Sequence, residues 1–388
     1  MHSPCRKPAL VSDCGGIIQQ IAFAIPDVLL ESVHDRNDGL LVPIGNLIAT
    51  LPQEVTAFVV VSSNVLPAAK TWLARLKPGC SLTLIPVGGN TGGVPSPWIQ
   101  DFFHVRTHDT GAVEILSRPD NVVASHLAHA IGAATVPVAI DLAGGDQLVG
   151  PDFRLVGWSS MRTNGLQTGD AAGLQGPAIL TEVDHRPIRI FGYQVADLSP
   201  MASTDATGSL PFAGRLHQVG FHVDQFVSVT GLERDGRPLL LVGEPDAPAS
   251  PPNGIFENLR RQLDASVTHL IRQGFAVLRN PIPVAIALDS GKRLPRLYNN
   301  VLVENGLRPG RRKPLMWLPQ FGDLEPLEDY DRANAGIWEE LGFDVIPVSG
   351  WSRLASRNGA LRCASKVISR QRNSPVMDMP IARKSITL

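Results

Sequence analysis

The chain has 388 residues and a formal net charge of -1 at neutral pH, with 44% hydrophobic, 18% charged and 6% aromatic residues. This balance excludes a disordered chain, supplies no basic field for phosphates and offers few stacking platforms, so nucleic acid is not an expected partner. The apolar runs are far shorter than a membrane span and MHSPCRKPAL lacks the apolar stretch of a signal peptide, so a soluble, non-secreted, cytoplasmic protein without membrane contact is expected.

Taken in order, VTAFVVV at Val55–Val61 reads as a strand, LPAAKTWLARL at Leu66–Leu76 has helical spacing, and SLTLIPV at Ser81–Val87 is a strand again, which makes a βαβ unit. VPVAIDLAGGDQLV reads as an apolar strand that ends near Val149 after a Gly-Gly turn, with RLVGW at Arg154–Trp158 as its hairpin partner. Helical patterns recur at His126–Ala130, Phe256–Gln273 and Tyr330–Leu341, and LIRQGFAVL and LGFDVIPVSG feed later helices into strands. The class is therefore α/β. No GxGxxG or GxxxxGK[ST] follows a strand, which argues against a nucleotide site. Gly and Pro cluster at 165 to 177 and 243 to 253, the expected surface loops. Cys5, Cys14, Cys80 and Cys363 are too few for a disulfide framework and form no CxxC pair, so neither disulfides nor zinc are expected, and Cys5 and Cys14 fall in a segment expected to be loosely ordered.

Three stretches could carry chemistry. In GFHVDQFVSV, Gly220–Val229, a strand period of two puts His222 and Asp224 on one face, although an isolated HxD is ordinarily just a solvated strand face. In SPWIQDFFHV, Ser96–Val105, Asp101 sits in an aromatic stretch beside Trp98, where a carboxylate is costly without a cation and the ordinary alternative is a turn cap after Pro97. In NGALRCASKVISR, Asn358–Arg370, a Gly-containing turn delivers Cys363, which is either a thiol nucleophile or a small buried hydrophobe, with Arg362 beside it. Together they supply two carboxylates, a histidine and a thiol. A guanidinium is a permanently charged planar fork that two carboxylates can grip by charge-assisted bonds, presenting its carbon to a thiolate.

On these residues the chain resembles the guanidino-group modifying enzymes, in particular the peptidyl-arginine deiminase family and its relatives the agmatine deiminases. WIQD at Trp98–Asp101, HVDQF at His222–Phe226 and GALRCASKV at Gly359–Val367 match the family's tryptophan and first aspartate, its histidine and second aspartate, and its nucleophile turn, in the same order. AGGDQLVGPDFRLVG from Ala143, YNNVLVENG from Tyr298 and WLPQFGD from Trp317 resemble its Gly-Gly hairpin and late strands. The resemblance implies a five-bladed α/β propeller (pentein fold) of repeated ββαβ units, with an N-terminal strand region at 1–42, a deiminase catalytic domain at 43–370 and a tail at 371–388.

It further implies that Asp101 and Asp224 bind the guanidinium, that Trp98 flanks its stem with Arg362 as a further substrate contact, that Cys363 is the nucleophile and that His222 is the acid and base. The implied substrate is arginine in a peptide or protein. Arg362 stands where many relatives have histidine, and Gln225 replaces the acid of the HVDEF form. Phe102, Phe103 and His104 follow WIQD in place of calcium-binding acids, so no metal or other cofactor is expected and calcium is disfavoured. Ala143 replaces the acid that precedes Gly-Gly in agmatine deiminases, and WIQD leans toward the peptidyl branch. An agmatine or free-arginine deiminase, an amidinotransferase and a silent arginine-binding module are the competing readings; oligomeric state stays open.

Overall fold

The computed structural model describes residues 8–31, 39–88, 93–108, 110–165, 178–198, 216–246, 254–287, 291–324 and 326–371. The β-branched run forms strand Thr56–Ser62, Leu66–Leu76 forms a helix, and Ser81–Val87 returns parallel to the first strand. Pro67 suits the first turn of that helix, where its missing N–H costs nothing, and Lys77 ends it in the left-handed region at φ 46°. Ile17–Ile25 pairs parallel with Thr56–Ser62 and antiparallel with Lys366–Gln371, completing a four-stranded sheet. The expected N-terminal strand region therefore supplies an inner strand of a sheet shared with residues 56–87 and 366–371.

The same plan recurs along the chain. Strands His104–Thr107 and Val113–Ser117 pair antiparallel, helix Val122–Ile131 crosses over, and Ala134–Pro137 lies parallel to the second strand. Gln147–Val149, Arg154–Gly157 and Ile188–Phe191 repeat it around helices Trp158–Thr163 and Ala178–Val183. Val227–Arg234, Arg237–Asp246 and Ala276–Ile286 repeat it around helix Gly254–Arg272, and Leu302–Val303, Leu315–Pro319 and Asp344–Val348 around helix Glu328–Glu340. Parallel partners require such a crossover, and each helix buries its apolar stripe on the sheet it bridges. Five sheets among the described residues thus share one order, antiparallel then parallel, and the chain is a mixed α/β protein. The three indoles of Trp317, Trp338 and Trp351 are fully buried in the largest core cluster, together with Phe23, Val59 and Leu241.

Four expectations need correction. The run before the expected Gly-Gly turn is not a strand throughout: it leaves strand geometry after Pro137, and the turn itself is a single 3-10 turn at Gly144–Asp146. Residues 220–226 are not a strand either, since Val223–Gln225 is a 3-10 turn capped by His222 and pairing starts at Val227. Residues 243–246, expected in a loop, extend strand Arg237–Asp246, because each finds a partner along Gly243–Asp246 and Asn280–Pro283. Cys14, expected in loose chain, is fully buried in the core. The rest of both expected loops apart from Gly165, Cys5, and the tail beyond Gln371 lie outside the described residues. Among the described residues no helix is long and apolar enough to cross a membrane.

Candidate active site

Five short segments, each lying just before the strand that opens the antiparallel-then-parallel order in one sheet, meet at one place. They are Trp98–Asp101 before His104–Thr107, Gly144–Asp146 before Gln147–Val149, and His222–Gln225 before Val227–Arg234. Asn299–Asn300 precedes Leu302–Val303, and Gly359–Ser365 precedes Lys366–Gln371. The structure brings Asp101, His222, Asp224, Arg362 and Cys363 together through direct contacts among these segments.

Cys363 is 3% exposed. Its thiol donates to Asp224 Oδ2 at 3.5 Å, and Asn300 holds it from both ends: Nδ2 donates to Sγ at 3.2 Å and Oδ1 accepts the Cys363 N–H at 3.1 Å. Burial, reinforced by the negative charges of Asp224 and Asp101, raises the thiol pKa well above its ordinary value, so the resting group is protonated. Asp224 is itself fully buried, and burial raises its pKa against the opposing pull of Arg362. Its Oδ2 accepts from Arg362 Nη1 at 2.7 Å, while Oδ1 has no hydrogen-bond partner among the described residues. A buried carboxylate oxygen without a donor costs desolvation free energy that a ligand could return.

Asp101 lies opposite, part-exposed, with Oδ1 accepting the Gly145 N–H at 2.8 Å and Oδ2 3.9 Å from His222 Nδ1. The two glycines are required by proximity. A Cβ on Gly144 would stand 1.9 Å from Gln100 O, and one on Gly145 would stand 2.5 Å from His222 Nδ1 and 3.2 Å from Asp224 Oδ1. Gly359 is needed likewise, since its Cβ would lie 2.5 Å from the Trp98 ring, which packs on the turn that leads to Cys363. Gln225 fixes the histidine by its backbone: Oε1 accepts the N–H of Phe221 at 2.7 Å and of His222 at 3.1 Å, and Nε2 donates to Asn358 O at 3.4 Å. An amide can do both, whereas a carboxylate cannot donate.

The substrate contact expected for Arg362 is not what its geometry offers. The side chain is buried and spends its donors on protein: Nε on Asp13 Oδ1 at 3.0 Å, Nη1 on Asp224 and Gly144 O, and Nη2 on Gly144 O at 3.2 Å, Gln147 O at 2.9 Å and Asp13 Oδ1 at 2.9 Å. Burial alone would lower its pKa, but Asp13 and Asp224 more than offset that and hold it above its ordinary value. Phe221, which strand alternation would have placed on the face opposite His222 and Asp224, is 67% exposed and lies against the His222 ring at a centroid distance of 4.3 Å.

Three participants escaped the sequence reading. Asn300 was visible only as a polar pair with Asn299 inside apolar YNNVLV. Asp13 lies 349 residues from Arg362, and no local pattern marks it. Asp146, whose pKa burial raises, accepts from Ser160 at 2.5 Å, Ser159 at 3.1 Å, Gln218 at 2.7 Å and the Val223 N–H at 3.2 Å, and so anchors the histidine turn from below. Among the described residues no cluster of His, Cys, Asp and Glu has the makings of a metal site.

No protein-family model matches the chain, and no curated protein matches it in sequence. Among solved structures it is similar to a proposed peptidyl-arginine deiminase at 15% identity, with a TM-score of 0.61 over 92% of this chain and 98% of that one. A dimethylarginine dimethylaminohydrolase aligns over 90% of this chain and 99% of its own at 13% identity, with a TM-score of only 0.38. The first likeness supports a shared fold, and the second is too low to weigh.

Proposed function

We propose that the chain is a cysteine-dependent hydrolase that converts the guanidinium of arginine within a peptide or protein to the ureido group of citrulline, releasing ammonia. The observation that carries this reading is the buried Asp224 carboxylate, with one oxygen bound by Arg362 and in reach of the Cys363 thiol, and the other without a partner in a site that also holds Asp101 and His222. Asp224 Oδ1 and Asp101 hold the cation, and Trp98 flanks its stem. Arrival of that cation offsets the two negative charges that raise the thiol pKa, so binding itself favours the thiolate.

The thiolate of Cys363 attacks the guanidinium carbon, and His222 gives a proton to the departing nitrogen, which leaves as ammonia while a Cys363 thiouronium forms. Water then attacks the same carbon, His222 takes its proton, and collapse expels the thiolate and leaves the ureido carbonyl. Thiol, imidazole and water supply every group these steps use, so we assign no cofactor. Two features favour arginine in a chain. Arg362 has no donor to spare for an α-carboxylate, and the exposed Phe221 gives the rim beside His222 an apolar surface. We also assign the five like-ordered sheets to the blades of one closed propeller with this site where they meet.

The test is citrulline and ammonia release from a blocked arginine amide, free arginine and agmatine, with and without calcium, beside Cys363→Ala. Turnover of the blocked amide without calcium, lost in the variant, is the expected result. Turnover of agmatine or free arginine alone moves the chain to a small-molecule reaction, and binding without turnover of any of them refutes hydrolysis.

A further inference from the structure

Beside the guanidinium of Arg362 lies a partly open cavity of about 30 Å³, lined by apolar residues and by the polar side chains of Ser12, Asp13, Gln100, His104, Gln147, Arg362 and Lys366, of which Ser12 donates to Val149 O. One buried water needs roughly 10–15 Å³ on this measure, so the space takes about two waters or one monatomic anion with a water. The lining groups can be followed donor by donor. Arg362 is spent on Asp13, Asp224, Gly144 and Gln147. Asp13 is spent too, with Oδ1 on Arg362 and Oδ2 accepting the Val149 N–H at 2.7 Å. His104 bonds Leu142 O through Nε2 and is neutral, since burial and the charge of Lys366 lower its pKa to about 3. Gln100 Nε2 donates to Gly144 O, and Gln147 Oε1 accepts from Arg154.

Lys366 is the charged group among them whose donors are not all spent. It is 7% exposed, donates once, to Gln100 O at 3.3 Å, and lies 5.8 Å from the centre of the Phe103 ring. It forms no ion pair with a carboxylate of the described residues, and Asp13, the carboxylate in the lining, already serves Arg362. Two N–H donors of a buried ammonium thus lack an acceptor among the described residues, and of the charges that line the cavity Arg362 and Lys366 stand against Asp13 alone, with Asp101 and Asp224 acting on Lys366 from beyond the lining. Burying an unpaired charge is costly, and burial with the nearby Arg362 accordingly lowers the Lys366 pKa to about 8.

We infer that this cavity is a binding site for a small monovalent anion of halide size, held by Lys366 as its counter-charge. The occupant would brace the nucleophile turn, because Gln100 accepts from Lys366 at its carbonyl while its N–H donates to Cys363 O at 3.3 Å. The inference is independent of the proposed hydrolysis, and its test reads no activity. Thermal melts of the full chain at one ionic strength would compare sodium chloride and bromide with sodium gluconate, whose anion is too large for the cavity. Crystals grown in bromide would be measured at the bromine edge. At a halide concentration tenfold above Kd, mass action gives a melting temperature about 2 °C higher in halide than in gluconate. An anomalous peak beside Lys366 should accompany it, and Lys366→Met should remove both. Water in the cavity with equal melting in all salts overturns the inference. A peak without a melting difference shows an adventitious ion only, and a halide effect that persists in Lys366→Met places the anion elsewhere; both overturn it as well. Should Lys366→Met fail to fold, the wild-type melts and the bromide map decide alone.

Discussion

Replacing Arg362 by methionine keeps much of the side chain's volume and removes its charge. The loss leaves Asp224 fully buried, its Oδ1 still unpartnered and its Oδ2 with only the Cys363 thiol. Removing one partner of a buried, hydrogen-bonded pair costs about 3–5 kcal/mol, because the other charge stays behind. At ~2.1 cal/mol/K per residue, a chain of 388 residues has an unfolding entropy of about 0.8 kcal/mol/K, so the melting temperature should fall by about 4–6 °C. The sign of the pH dependence follows from Asp224. Its folded pKa is already raised, so ionising it opposes folding, and that penalty grows as pH rises through the folded value. Without Arg362 the folded pKa moves further up, so the deficit of Arg362→Met should be smaller near pH 5 than near pH 8. Arg362→Met combined with Asp224→Asn should lose less than the two single losses together, since the fully buried Asp224 charge is then no longer stranded. Calorimetric melts of the four proteins at both pH values provide the measurement. A fall under about 1 °C, or equal deficits at the two pH values with additive single losses, would refute the view that Arg362 serves as the buried counter-charge of Asp224.

Three further outcomes are expected. Gly145→Ala puts a Cβ 2.5 Å from His222 Nδ1, so the imidazole must shift and kcat should fall by about 10²-fold or more while the fold, read by circular dichroism, is kept. Because the Cys363 pKa is raised well above its ordinary value, its alkylation by iodoacetamide should be slow at pH 7 and still accelerating at pH 9, and a bound guanidinium should shift that profile to lower pH. Gln225→Glu keeps an acceptor for the Phe221 and His222 amides but loses the bond to Asn358 O, so it should hold stability within about 1 kcal/mol in denaturant melts, whereas Gln225→Ala, which leaves two amides without their acceptor, should lose about 1–3 kcal/mol.

The α/β class was legible because it rests on local periodicity: Leu66–Leu76 and Glu328–Glu340 have helical spacing, and Thr56–Ser62 is β-branched. The candidate site was legible by type, since an acid in WIQD, an HVD and a cysteine after a glycine turn each break an apolar context. Its geometry was not. His222 and Asp224 come together by a capped 3-10 turn, not by strand alternation, because Gln225 folds back on the two preceding amides, and no periodicity announces such a cap. Arg362 looked like a substrate contact because it adjoins Cys363 in sequence. Its true partners, Asp13 and Asp224, are 349 and 138 residues away in sequence. Phe221 is exposed and outside strand alternation because the strand begins only at Val227.

The pairing of Lys366–Gln371 with Ile17–Ile25 has a consequence for the life of the molecule. The strand that follows Cys363 is the last of the described elements to be synthesised, and its partner is among the first. The thiol of Cys363 is thus made long after Asp101, His222 and Asp224, and the closing of the first sheet falls in the same late stage of synthesis that completes the candidate site.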